Sequence, residues 1–540
     1  MTVGFDCVAR RRGLRAVLTT AATFSLLYHV SAFAQLSTES FWPKFQRDAQ
    51  NSGYAPVLGY AGDPHVVWAV RLSDPIPVGV GEHHATPVFS LDNTRAYVGG
   101  PASTLTAVDV AAARVAWTLQ LGDGTGHIFQ TAVVGADGTI YVGAWDTQAP
   151  FDGFNKIRDE GDHATVVWTF PMAQLLASPT ITRDGLIVVG GRHDTEGWGY
   201  YGLKDLGDTY QLVWIAARFA EPGNPASTGW IGSSPALSPD GTWLFGGSYQ
   251  NRTFWQIDAA SGAEAARIRL DYYCYSPSPV VSDDGFAFVG EGMSFTTPDD
   301  KTQGKLYAFE PDPQGVMALL DKLALGVGHL NGGTAALHRR SDGRLRLYVP
   351  ANGYTKPNAQ LVALDFDPDG PHSNPPRPAL VKAWQVSIGP AALAYPQAVV
   401  TRDELVCVIG PGDHVLYGVR DGGSRAATPW TLALSAITRV KDWQPGTQRG
   451  PQGVVGGPDG MLYWNAVDGY LYAIHGWPTG DLDGDERLTD TDLDWLVVML
   501  LDLEQYRLRF PEIDAGSIGD VNGDGRLDFF DLLRMLELLG

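Results

Sequence analysis

Residues 234–247 read SPALSPDGTWLFGG. Ala236 and Leu237 lead into Asp240-Gly241, and Trp243, Leu244 and Phe245 lead out, so the stretch predicts two short strands joined by a tight turn. Asp-Gly supplies the positive φ values that a two-residue hairpin turn demands. Similar turns recur eight times, at Asp92-Asn93, Asp137-Gly138, Asp184-Gly185, Asp240-Gly241, Asp284-Gly285, Asp342-Gly343, Asp403-Glu404 and Asp459-Gly460. The outgoing strand repeats with them: AYVGG from 96, IYVGA from 140, IVVGG from 187, LFGGS from 244, AFVGE from 287, LYVPA from 347, VCVIG from 406 and LYWNA from 462.

A third strand follows in many units, at 105–109, 254–258, 306–309, 361–365, 415–419 and 471–474, and several units close on Trp117, Trp168, Trp214, Trp384 or Trp430 in a fourth. Four strands per unit, repeated along the chain, predict a β-propeller. The eighth unit stops after 471–474 without a fourth strand, whereas His65-Val66-Val67-Trp68 reads as a closing strand with no unit before it. Pairing the two closes an eight-bladed ring and leaves no exposed sheet edge.

Composition agrees with many short strands. The 540 residues include 64 Gly and 35 Pro, and only 18% are charged. The net charge of −21 argues against a nucleic-acid partner, which needs a basic face to meet phosphates. Residues 480–540 hold sixteen acidic and five basic residues, a net of −11, so half of the excess sits in the tail. At the other end, Arg10, Arg11, Arg12 and Arg15 precede an apolar run at 16–30 and Ala32-Phe33-Ala34. Residues 1–34 therefore read as a signal peptide cleaved before Gln35, and export to the cell exterior or surface is expected. No later stretch is long and apolar enough to span a membrane. Cys7 leaves with the leader; Cys274 and Cys407 read as two buried free thiols, with a disulfide between them as the alternative.

The propeller, residues 35–476, resembles the PQQ-type (quinoprotein-like) repeat family over roughly 41–474. The resemblance is carried by the entry segment FWPKFQRD at 41–48 with Gly53-Tyr54, and by Ala107-Val108-Asp109 before Trp117. In that family the indole packs between neighbouring blades. Ala112-Ala113 replaces the usual Thr-Gly, and blade 4 keeps Asp258 and Ser261-Gly262 but not the tryptophan. The dehydrogenases of the family carry a vicinal disulfide against their quinone, and this chain has no adjacent cysteines. PQQ is therefore not expected as a cofactor.

In the tail, residues 477–540, Asp481, Asp483 and Asp485 alternate and Asp492 closes a twelve-residue loop; Asp520, Asn522 and Asp524 alternate and Asp531 closes another. Calcium takes six or more oxygens, and side chains at alternate loop positions converge on one point. The carbonyls of Arg487 and Arg526, with Thr489 and Asp528 at position nine, complete two Ca²⁺ shells. Leu493, Leu496, Val497 and Leu500 map onto Leu532, Met535, Leu536 and Leu539 at the same offset of 39, which predicts one apolar face on each of two helices. Such a duplicated loop-helix resembles a type I dockerin, whose implied partner is a cohesin-type module. Loop one has Glu486 where loop two has Gly525, so loop two is expected to bind the tighter ion. Phe529-Phe530 stand where the family's partner-facing residues lie, either exposed as an anchor or packed inside.

His83, His84, His127, Trp230, His329 and Tyr395 precede inner strands and read as lining one mouth of the channel; Glu82, Asp194 and Glu291 are isolated acids. No nucleophile elbow, phosphate loop or zinc motif is present, and no catalytic residue is assigned. The favoured function is a secreted, non-catalytic binding or scaffold protein, with an unassigned protein or carbohydrate ligand at the propeller. The alternative is a glycoside hydrolase or polysaccharide lyase carrying a dockerin, which in the hydrolase case needs two carboxylates about 5 to 10 Å apart across a pocket.

Overall fold

The structure is a computed structural model. It describes residues 35–539 except 74–84, 125, 146–152, 194, 219–230, 249–251, 273, 275–276, 292–303, 311–316, 326–332, 353–357, 374, 392–395, 414, 435–452, 467, 486, 512, 514 and 523–525. The leader segment lies outside these residues. Eight sheets, each built on four antiparallel strands, form the eight blades. Their inner hairpins fall at the eight expected turns, from Val88–Phe89 with Arg95–Gly99 in blade 1 to Val455–Gly456 with Leu462–Asn465 in blade 8. Blade 8 takes its outermost strand from the other end of the chain: Tyr60–Arg71 pairs antiparallel with Tyr470–Pro478, with His65 opposite His475 and Arg71 opposite Tyr470.

The turns differ from the expected two-residue form. Only the second residue of each pair has positive φ, from Asn93 (59°) through Gly241 (75°) to Glu404 (64°) and Gly460 (80°). In each, its N–H donates to the carbonyl three residues back, as in Gly241 to Ser238 (2.9 Å) and Glu404 to Thr401 (3.0 Å). This is a type I turn followed by a left-handed residue, the geometry of three- and four-residue hairpin loops. The aspartate serves the turn as an acceptor: Asp240 Oδ1 takes the Thr242 N–H at 3.0 Å, and Oδ2 takes the Thr242 hydroxyl at 2.8 Å.

Neighbouring blades are joined by a repeated socket. Trp117 Nε1 donates to Asp159 of the next blade (2.9 Å), Trp168 to Asp205 (3.1 Å) and Trp384 to Asp421 (2.9 Å). A tyrosine from the outgoing strand donates to the same carboxylate each time, Tyr97, Tyr141 and Tyr348, all at 2.8 Å. A cation completes each socket: Arg95, Lys156 and Arg346. Trp214 departs from the pattern. Among the described residues its buried Nε1 has no hydrogen-bond partner, and its ring instead lies where a Cβ on Gly262 would come within 2.6 Å. The expectation that the indoles pack between blades therefore holds, and for Trp117, Trp168 and Trp384 the partner is an acid of the following blade. Trp430 uses a carbonyl, that of Tyr60 in the closing strand, at 2.7 Å.

Residues 35–57 are more than an entry segment. Inner strands face the axis and offer N–H groups that are costly if buried unpaired; in blade 7 the segment covers them as a fifth, parallel strand, Tyr54–Ala55 on Val399–Thr401. The segment supplies their acceptors blade by blade: Trp42 O takes Phe89 N (blade 1, 3.1 Å), Pro43 O takes Val134 N (blade 2, 2.8 Å), Ala49 O takes Leu237 N (blade 4, 2.7 Å), Gln50 O takes Val281 N (blade 5, 2.9 Å), Ser52 O takes Leu337 N (blade 6, 2.8 Å) and Gly53 O takes Val400 N (blade 7, 3.0 Å). Asn51 reaches inward, with Nδ2 donating to Ser234 O (3.2 Å) and Pro279 O (3.0 Å), while its Oδ1 accepts from the buried Lys44 Nζ. Lys44 Nζ also donates to Phe45 O and Asp48 O, both at 3.1 Å, which offsets part of a burial that pushes its pKa down to about 7.

At the opposite ends of the inner strands a chain of hydroxyls ties the ring together. Thr86 N donates to Thr131 Oγ1 (3.0 Å), Thr131 N to Ser178 Oγ, Ser178 N to Ser234 Oγ and Ser234 N to Ser278 Oγ (each 2.9 Å). Cys274 and Cys407 are free and buried, as expected, and burial pushes the Cys274 thiol up to about 12. Among the described residues no helix is long and apolar enough to cross a membrane.

Among the described residues four helices follow the ring: α1 (Asp490–Leu501), α2 (Leu503–Arg509), α3 (Ala515–Gly519) and α4 (Phe529–Leu539). The offset of 39 is kept, and six of the eight expected positions, Leu493, Leu496, Leu500, Leu532, Met535 and Leu539, lie in or against one apolar core. Asp492, Leu496 and Met499 are buried on α1, and Asp531, Met535 and Leu538 on α4. Val497 and Leu536 are exposed, because each helix turns inward the carboxylate that closes its loop.

Candidate functional site

The loop before α1 is organised around two carboxylates. Asp481, fully buried, accepts from Gly484 N (2.8 Å) and Asp485 N (3.1 Å), which curls the chain back over it. Asp492, also fully buried, accepts from Leu482 N (2.8 Å) with Oδ1 and from Thr489 N (2.7 Å) with Oδ2, so the last loop residue holds both ends of the loop. Asp485 is exposed and accepts from Arg487 N at 2.9 Å. One carboxylate oxygen from each of Asp481, Asp483 and Asp485 lies within 4.8 Å of the other two. Oxygens at about 2.3–2.6 Å from one calcium stand no more than roughly 5 Å apart, so the three fit a single ion of that size. Burial, with the Asp492 and Asp485 charges nearby, raises the Asp483 pKa.

The second loop repeats the pattern where it is described. Asp531 accepts from Asn522 N (3.1 Å) with Oδ1 and from Asp528 N (2.8 Å) with Oδ2, the counterparts of Asp492 accepting from Asp483 N (3.3 Å) and Thr489 N. Its pKa is raised to about 6, first by burial and then by Asp520 and Asp528. Asp528 accepts from Phe530 N at 2.8 Å at the start of α4. Asp524 and Gly525 of this loop, and Glu486 of the first, lie outside the described residues. Of the two alternatives for the phenylalanine pair, the structure takes the exposed one: Phe529 and Phe530 are 60% and 63% accessible, and Leu533 and Leu536 follow them at 43% and 48%.

The channel-mouth residues are less informative. His83, His84, Trp230, His329, Tyr395, Glu82 and Asp194 lie outside the described residues. His127 is tied through its backbone to Trp145 (N to O, 3.0 Å) and its ring stacks on Phe129 at 5.3 Å, and burial lowers its pKa. Glu291 is buried and accepts from Tyr307 Oη at 2.7 Å; the same hydroxyl accepts from Asp271 N at 3.0 Å. Burial raises the Glu291 pKa, so its protonated form is favoured in the fold. That contribution to stability is present below the ordinary glutamate pKa and is lost as pH rises through the raised one. Glu291→Gln keeps an acceptor for Tyr307 and removes the buried charge. Its melting temperature is expected to exceed the parent's at pH 7 and to match it near pH 3.5; thermal scans at the two pH values check this.

No protein-family model and no curated protein sequence matches the chain. Solved structures do resemble it in fold. The quinohemoprotein alcohol dehydrogenase of Comamonas testosteroni superposes with a TM-score of 0.53 at 12% identity, over 93% of this chain and 95% of that one. BamB of Moraxella catarrhalis gives a TM-score of 0.46 at 14% identity, over 77% and 98%. At such identities the first of these likenesses speaks to architecture alone. The chain has a quinoprotein-dehydrogenase-like propeller fold of eight blades.

Proposed function

We propose that the protein is a secreted, non-catalytic binding or scaffold protein whose propeller presents an interaction surface, and whose tail docks through two calcium-organised loops to a cohesin-type module. The observation that carries this reading is the exposed apolar strip of Phe529, Phe530, Leu533 and Leu536 on α4, directly after the second carboxylate loop. Exposed aromatic pairs are effective interface anchors, because they bury large rigid area at small entropic cost. The twofold use of one loop geometry, with Asp492 and Asp531 accepting from equivalent N–H groups, supports two ion sites rather than a generally acidic tail. In each, Asp481, Asp483, Asp485 and Asp492, or Asp520, Asn522, Asp524 and Asp531, supply the side-chain oxygens, and position seven supplies a carbonyl.

Calorimetry of the intact protein is expected to count two calcium ions, with Asp531→Ala removing the tighter and Asp492→Ala the weaker. The reverse order overturns the ranking, and no binding overturns the calcium reading. Against a panel of recombinant cohesin modules, capture is expected in calcium and not in EGTA. Phe529→Asp with Phe530→Asp is expected to weaken it at least about 100-fold, the scale of two interface anchors lost. Calcium-loaded protein that binds no module rules out the docking role.

A further inference from the structure

The tail is built into the ring closure rather than hung from it. Only Thr479 and Gly480 separate Pro478, the end of the strand that pairs with Tyr60–Arg71, from Asp481. Thr479 N donates to Gly59 O (3.0 Å), and Gly59 N donates to Asp403 Oδ1 (2.7 Å). The buried Arg420 joins the two, paired with Asp403 at 3.0 Å and bonded to Thr479 Oγ1. Gly480 sits at φ 83°, and a Cβ there would come within 3.0 Å of Leu488 and Met535, so the link passes tight against the helical core. Ala61 of the closing strand lies in one apolar core with Leu482, Leu496, Met499 and Met535, and Leu58 and Trp477 pack against that core. From α4, Arg534 donates to Arg402 O of blade 7 at 3.3 Å.

From this continuity we infer that cation binding in the first loop latches the propeller's closure: the closing strand pair and the helical unit open together, and opening dismantles the loop. The inference rests on the calcium reading of Asp481, Asp483, Asp485 and Asp492. A ligand held only by the closed form stabilises it by mass action, which at one hundred times Kd corresponds to about a 100-fold smaller open population.

The test is amide hydrogen exchange of the full chain in calcium and in EGTA, after calorimetry has given Kd. At one hundred times Kd, amides of Tyr60–Arg71 and Tyr470–Pro478 are expected to exchange roughly 100-fold more slowly, while those of Thr253–Asp258 in blade 4 are unchanged. Asp485→Ala removes an exposed ligand and is expected to abolish the effect, with blade 4 exchange reporting that the variant is folded. Calcium binding that leaves the closing strands unchanged overturns the latch and spares the calcium reading. Equal slowing in blade 4 also overturns it, since a latch acts locally. Absence of any binding heat overturns both.

Discussion

Asp421→Ala is expected to lower the unfolding free energy by about 3–5 kcal/mol, the cost of removing one partner from a buried ion pair. Asp421 is the most deeply buried of the three socket carboxylates. Arg346 Nη1 meets both of its oxygens, at 2.8 and 2.7 Å, Tyr348 Oη donates at 2.8 Å, Trp384 Nε1 at 2.9 Å and Gly423 N at 2.8 Å. Arg346 is 1% exposed and keeps only Asp365, at 2.6 Å, as a second carboxylate. Alanine therefore leaves a buried guanidinium half compensated and orphans an indole N–H and a phenol. Asp421→Asn preserves shape and one acceptor and should fall between. Urea titration with an unchanged slope reads the difference; a loss below 1 kcal/mol for alanine would falsify the socket as a major tie between blades 6 and 7.

The second large effect is expected at the axis. Trp42→Ala should cost about 3–5 kcal/mol, the range for deleting a buried indole. Trp42 is 1% exposed in a core that joins Phe89 of blade 1, Val399 of blade 7 and Val455 of blade 8 to Ala55 of its own segment. The carbonyl that accepts from Phe89 N survives the substitution, so the loss measures the side chain alone. Trp42→Phe should retain more than half of the stability at stake. The same urea titration decides, and equal midpoints for alanine and parent would mean that the segment is held by its main chain only.

The architecture was legible because it is written in side chains that a strand and its turn both require. The Asp-Gly pairs, the aromatic-rich outgoing strands and the orphan strand at His65 placed all eight blades and the closure. The turn type was misread, since Asp-Gly also suits a type I turn with a left-handed second residue, and Asp403-Glu404 already hinted that only one position needs positive φ. The sockets were half visible: the tryptophans stood out, but Asp159, Asp205 and Asp421 lie in the following blade, beyond any local spacing. The tyrosine in AYVGG, IYVGA and LYVPA was the available signal. FWPKFQRD marked residues 41–48 as an entry segment, but their course under successive blades was not readable because most of those contacts use carbonyl oxygens, which every residue has. In the tail, loop spacing and most of each helix face were readable, whereas the exposure of Val497 and Leu536 follows from the burial of Asp492 and Asp531, which an apolar count ignores.

The threading of residues 49–53 under blades 4 to 7 has a consequence for the order of events in synthesis. Gly53 is translated 347 residues before Val400, whose N–H it accepts, and at 5–20 residues per second that is a wait on the order of 20–70 s. Residues 42–52 meet earlier partners as Phe89, Val134, Leu237, Val281 and Leu337 are made, whereas Gly53 waits for Val400 and the strand Tyr60–Arg71 waits longer still, for Tyr470–Pro478. The axial segment is therefore engaged blade by blade from the front, while the closing strand Tyr60–Arg71, made before any blade, is the last to be seated.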